Sequence, residues 1–166
     1  TPDKDLAQCV RGERVVQLDR RRSSVLNEDG VGDRFGVPPT SIPDWLALVG
    51  DSADGFPGIP RWGKTSASSV LSHYEHIEQI PPDARDWDRS VLSKTRGCES
   101  LARELDSRRP LAALFKDLAT LRTDVAGTNS TTELLWRGPD DRLAEVAYYL
   151  GDERLTEDAT RLASQR

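Results

Sequence analysis

From Ser41 onward, apolar residues fall at Ile42, Trp45, Leu46 and Val49, the i, i+3, i+4, i+7 spacing that lines one face of a helix. Pro43 is tolerated in the first turn, and the pattern predicts an end at Gly50 or just beyond. After a loop rich in glycine and proline, Ala67, Val70, Leu71 and Tyr74 repeat the spacing, with Thr65 or Ser66 able to cap. A helix, a tight loop and a second helix are therefore expected between residues 41 and 75.

The remaining pattern is mostly helical. The stretch "TPDKDLAQCV" reads as the end of a strand running into a helix, and "ERVVQLD" as a short β-rich run followed by the polar "RRRSS". "NEDGVGDRFG" predicts a short helix ending at Gly36, where "VPP" blocks continuation. "QIPPDARDWDRSV" reads as a connection. Cys98, Leu101, Ala102 and Leu105 mark one more helix, and Leu111, Leu114, Phe115, Leu118 and Leu121 the next, separated by Pro110. "DVAGTNSTTELLWRGPDD" reads as a polar linker around a strand-like "ELLW". Leu143, Val146, Ala147 and Leu150 mark a further helix stopped by Gly151, and Asp152 onward reads as a surface helix or tail.

A chain of 166 residues has room for one substantial core, or one core and a small appendage. No apolar run approaches the roughly 20 residues of a membrane span. Cys9 and Cys98 lack the spacing of a zinc site or disulfide framework and read as core residues, while His73 and His76 read as surface residues. The net charge of −5 argues against a simple basic nucleic-acid binder, but it hides a gradient. Basic residues number 7 against 10 acidic over residues 1–60, 11 against 9 over 61–122, and 5 against 9 over 123–166. Only the middle is net positive.

Asp51 and Asp54 lie three apart at a predicted helix end, where both side chains can project to one side and chelate a hard cation. Acids at a helix C-terminus oppose the macrodipole, so the pair costs stability unless something positive sits on it. A solvated turn, with Asp54 forming a local Asx turn before Gly55, accounts for the same residues. Asp3 and Asp5 form a second pair, with a helix cap and a first-turn acid as the ordinary reading. Two such pairs together suit a site for two divalent ions.

Read together, "TPDKDL", "GVPPTSIPDWLALVGDSADGFPGIPRWGKTSASSVL" and "LATLRTDV" resemble the bacterial 5′-nuclease family, the 5′-3′ exonuclease and flap endonuclease fold that also forms the N-terminal domain of DNA polymerase I. The resemblance runs through about residues 1–125. It implies a mainly α fold: residues 1–36 as the C-terminal remnant of a parallel α/β, PIN-like nuclease core, residues 37–122 as a helix-three-turn-helix DNA-binding region, and residues 123–166 as a C-terminal extension. By the same resemblance Asp3, Asp5, Asp51 and Asp54 supply acidic ligands for two Mg2+ or Mn2+ ions. Gly58, Arg61, Gly63, Lys64, Thr65 and Ser66 meet DNA phosphates, and the loop holds a potassium ion. Lys94, Arg96, Arg108 and Arg109 are further candidates for the phosphate track, although solvated charge explains each equally well.

The implied activity is hydrolysis of DNA phosphodiesters near a 5′ flap or single-strand/duplex junction, in replication and repair, by a monomeric bacterial protein of the cytoplasm and nucleoid. The family's first half, with its remaining acidic ligands and helical arch, is expected before Thr1, so weak or no nuclease activity is expected of these 166 residues alone. The alternative is a non-catalytic duplex DNA-binding module. Arg61 stands where relatives carry the first glycine of the loop, Thr65 where they carry lysine, and Gly55 where many carry asparagine. Lys64 is expected to replace the lysine.

Overall fold

The computed structural model describes residues 3–125, 127, 130–152 and 154–165. Residues 1 and 2, at the beginning of the stretch read as a strand end, and part of the linker, at residues 126, 128 and 129, lie outside them. Contacts divide the chain into two compact units, up to Arg122 and from Thr123 onward.

In the first unit a 3-10 helix at Asp5–Cys9 precedes strands β1 (Gln17–Asp19) and β2 (Ser24–Leu26), which pair antiparallel with each other, Leu18 opposite Val25. Helix α1 (Glu28–Phe35) starts where Asn27 accepts a hydrogen bond from the Gly30 N–H, and closes on Gly36 at φ 71°. That glycine is required: a Cβ there would meet the Ser68 Cβ at 2.9 Å, and the left-handed backbone penalises other residues. Helices α2 (Ile42–Val49), α3 (Lys64–Tyr74), α4 (Arg89–Lys94), α5 (Cys98–Asp106) and α6 (Arg109–Ala119) follow.

Helix α2 is the centre of the unit. Ile42, Leu46, Ala47 and Leu48 are fully buried, and α2 packs along α6 and against α3. The helix is not the usual amphipathic one: Trp45 is buried too, its ring edge-on to Phe35 and its indole N–H donating to the Ser68 hydroxyl at 3.0 Å. A helix apolar nearly all round must be enclosed by its neighbours. Asp44, inside this helix, is also fully buried. Its carboxylate accepts from the Ile77 N–H at 2.9 Å, pairs with Lys116 at 2.9 Å and lies 3.0 Å from His76 Nδ1. The buried charge is thereby compensated from both α6 and the segment after α3. His76 is thus a half-buried partner of Asp44 and not the free surface histidine expected of it; His73 is exposed, edge-on to Tyr74.

Several expectations are revised. Thr65 and Ser66 lie inside α3, whose N-cap is Gly63; Ser66 serves it from the third helical position by accepting from the Gly63 N–H at 3.0 Å. Pro110 does not separate two helices but sits in the first turn of α6, where its missing N–H costs nothing. The buried face of α6 is Ala112, Phe115 and Ala119, whereas Leu111, Leu114 and Leu118 are exposed. The connection after Tyr74 contains a short helix, α4, capped by Asp88 through the Ser90 N–H. Cys98 is buried, its thiol donating to the Thr95 carbonyl.

In the second unit "ELLW" forms no strand among the described residues; Thr131–Leu134 is a 3-10 turn. Helix α7 (Leu143–Leu150) closes on Gly151 at φ 70° and packs on α8 (Arg154–Ser164). No helix among the described residues is long and apolar enough to cross a membrane.

Candidate functional site

The loop after α2 is folded back on the helix that it leaves. Gly50 takes φ 90°, and a Cβ on it would stand 2.5 Å from the carbonyl of Pro57. Gly58, at φ 77°, is equally tight: its Cβ would stand 2.5 Å from the Gly50 nitrogen and 2.6 Å from the Leu48 oxygen. Two glycines in mutual backbone contact let the Ile59 N–H reach the Leu48 carbonyl at 2.9 Å. Between them Asp51 and Phe56 exchange both backbone hydrogen bonds, at 2.8 and 3.0 Å. Phe56 is buried and stacks on Phe115, ring centroids 5.3 Å apart, which pins the loop to α6. The sharp turn after the acids is therefore a construction of steric necessity. It fixes where Asp51 points.

Within this frame Asp5, Asp51 and Asp54 come together, each offering a carboxylate oxygen within 4.8 Å of the others. Asp5 comes from the first 3-10 helix, Asp51 from the end of α2 and Asp54 from the exposed loop. Asp51 is buried. Its Oδ1 accepts from the Ala53 N–H at 3.0 Å, so the Asx turn belongs to Asp51 and not to Asp54. Its Oδ2 forms an ion pair with the Lys4 ammonium. Asp5 Oδ1 is buried without a hydrogen-bond partner. Asp3 stands outside the trio, exposed, with Oδ1 accepting from the Asp5 N–H at 3.2 Å.

The electrostatics are those of crowded carboxylates. Burial, then the charges of Asp3, Asp54 and Asp51, push the Asp5 carboxyl up to about 6, although Lys4 opposes them. Burial would raise Asp51 as well, but the bonds from Lys4 and from the Ala53 N–H prevail and hold it below 3.8. Lys4 loses some solvation, yet Asp51, Asp5 and Asp54 raise its pKa above 10.5. Three carboxylates with one ammonium leave net negative charge around a buried oxygen that has no donor. That donor set suits a divalent hard cation. Lys4 was missed in the sequence, although its place between Asp3 and Asp5 was a legible sign of charge compensation.

The second group of candidates lies on the loop and α3. Arg61, Gly63, Lys64 and Thr65 are exposed. Arg61 adopts φ 70°, the left-handed conformation that a glycine would take without cost. The Ser66 hydroxyl is engaged with the Gly63 backbone, donating to its carbonyl at 3.0 Å as well as accepting from its N–H. Gly58 is buried in the packing of the loop on α2. Of the further basic candidates, Arg108 pairs with Glu104, and Arg109 donates to the carbonyls of Ile77 and Ile80 while contacting Asp106 at 3.2 Å.

These features define a helical module that carries an acidic cluster at one helix end and a basic turn at the start of the next helix. The family model described as "5'-3' exonuclease, C-terminal SAM fold" matches residues 37–142, and the chain belongs to that family. It is similar to a 5'-3' exonuclease of Aquifex aeolicus, 39% identical over 118 residues that cover 71% of this chain and 38% of that protein. It is 34% identical over 133 residues to a 5'-3' exonuclease of Buchnera aphidicola subsp. Baizongia pistaciae, covering 80% of this chain and 42% of that protein. It is also 33% identical over 157 residues to DNA polymerase I of Pseudomonas aeruginosa, covering 90% of this chain and 16% of that protein. The chain thus spans about two fifths of the two exonucleases and a sixth of the polymerase.

Proposed function

We propose that the chain is the C-terminal part of a structure-specific 5′-3′ exonuclease or flap endonuclease, acting on DNA with a 5′ flap or a single-strand/duplex junction in replication and repair. Asp5, Asp51 and Asp54, with Asp3 beside them, contribute ligands for Mg2+ or Mn2+, two ions in the complete enzyme. Such ions supply charge neutralisation at the scissile phosphate and activation of water. The residues of this chain do the positioning. Asp51 is locked by the Asp51–Phe56 bridge and the Ala53 N–H, Asp5 presents its unpartnered oxygen, and Lys4 holds positive charge on Asp51 until a divalent ion binds. The turn holding Arg61, Gly63, Lys64 and Thr65 binds the DNA backbone, without reading sequence, beside a potassium ion at the same loop. The observation that carries this reading is the convergence of Asp5 with Asp51 and Asp54 around a buried oxygen without a partner.

The test is thermal unfolding of the chain with and without divalent ion. Mn2+ at ~100 times its dissociation constant should stabilise the fold by about 2.7 kcal/mol. Asp54→Ala should abolish most of that gain while leaving the fold intact, since Asp54 is exposed. A parent protein indifferent to Mn2+, Mg2+ and chelator would refute the metal site. One observation favours the alternative of a non-catalytic duplex DNA-binding module: the ammonium of Lys4 already compensates Asp51. That module would retain salt-dependent DNA binding and show no response to chelator.

A further inference from the structure

The turn before α3 does not stand alone. Arg61 and Lys64 line a concavity of about 490 Å³ together with two cations from another segment, Lys94 at the end of α4 and Arg96 in the turn before α5. No acidic side chain lines it, and among the described residues none of these four cations forms an ion pair with a carboxylate. Arg85, Arg108 and Arg109, by contrast, each lie beside an acid. Four uncompensated cations around one hollow repel one another, and an arrangement of this kind is relieved by a bound polyanion.

The two segments are also fixed in position. Thr95, between Lys94 and Arg96, is buried, and its hydroxyl lies 2.7 Å from that of Ser69 on α3. Its carbonyl accepts from the Cys98 thiol. In the other segment the buried Trp62, next to Arg61, donates its indole N–H to the Leu101 carbonyl at 3.1 Å, tying the α3 turn to α5. Ordering of the backbone that carries the charges is therefore complete before any ligand arrives.

We propose that Lys94 and Arg96 form the second wall of the DNA-backbone site, so that one strand lies in the hollow between the turn of Arg61 and Lys64 and the turn before α5. This deepens the function proposed above and rests on it. It also separates the basic candidates of the sequence: Lys94 and Arg96 face the ligand, and Arg108 and Arg109 hold the fold.

The experiment is fluorescence anisotropy of the full chain on a duplex with a 5′ single-stranded overhang, across ~50–200 mM KCl. Each lost phosphate contact lowers the slope of log affinity against log salt by about 0.9. The double variant K94S/R96S should therefore lower the slope by about 2 and weaken binding on the order of tenfold. R61S/K64S should do the same, and R85S/R103S, a control for general charge loss, should leave the slope unchanged. Circular dichroism melts check that each variant is folded. If K94S/R96S keeps the parent slope while R61S/K64S loses it, the second wall is overturned and the function stands. If the control falls equally, the effect is general charge and the proposal is overturned. A parent chain with no salt-dependent binding overturns both.

Discussion

Replacing Asp5 by asparagine removes one charge from the acidic trio without changing the shape of the side chain, and its consequence should reverse sign with the metal. The Asp5 carboxyl is raised from 3.8 to about 6, first by burial and then by the neighbouring carboxylates. The folded state therefore binds the proton more tightly than the unfolded state. Stability is greatest below 3.8, falls as the pH rises from there to about 6, and carries the full cost above that range. At ~1.4 kcal/mol per pH unit the cost is about 3 kcal/mol at most, and solvent screening of this half-buried group reduces it to ~1–2 kcal/mol. Asp5→Asn should thus be more stable than the parent by ~1–2 kcal/mol in urea unfolding at pH 7.5 with chelator, and nearly equal to it at pH 4. With saturating Mn2+ the order should invert, because only the parent keeps all three carboxylates of the trio. A variant less stable than the parent at pH 7.5 without metal would refute the picture of crowded charge.

Three further outcomes follow from the same frame. Gly50→Ala sets a Cβ 2.5 Å from the Pro57 backbone at φ 90°, and should destabilise by ~3 kcal/mol or more in urea melts while weakening the Mn2+ response, since the loop that aims Asp51 must shift. Arg61→Gly relieves a left-handed backbone and should stabilise by ~1 kcal/mol in the same melts, yet weaken DNA binding in anisotropy titrations. Asp44→Ala strips Lys116, His76 and the Ile77 N–H of their shared partner and should cost ~3–5 kcal/mol by chemical denaturation.

Helices α2, α3 and α5 were legible because their apolar positions are the positions they bury: Ile42 and Leu46, Val70 and Leu71, Leu101 and Leu105. Helix α6 was legible as a helix but not in its facing. Large leucines at 111, 114 and 118 dominate the periodicity, whereas the buried positions hold two alanines and Phe115, and small residues leave only a weak trace in a hydrophobic pattern. Helix α4 buries little beyond Val91, which is too little for a periodic signal; only the Asp88 cap marked it. The strand-like "ELLW" shows the opposite failure: its apolar residues suggest a strand, yet Thr131–Leu134 turns as a 3-10 helix and joins no ladder among the described residues.

The candidate site divides along the same physical line. Asp51 and Asp54 were visible because three residues of spacing at a helix end is a local property. That Asp5 meets them is a long-range fact, supplied in the sequence only by resemblance, and that Asp3 stands outside the trio could not be read from an alternation two residues long. Gly58 shows how one residue type carries two meanings: the resemblance places it at the DNA backbone, and the packing requires a glycine there because a Cβ would meet Gly50 and Leu48. The same packing explains why the acids can be held at all. A carboxylate pair at a helix C-terminus is opposed by the dipole, and here Lys4, the Ala53 N–H and the Asp51–Phe56 bridge offset that cost before any ion is present. The loop's rigidity is therefore a property of the chain itself, whereas the charge it gathers is left incompletely balanced.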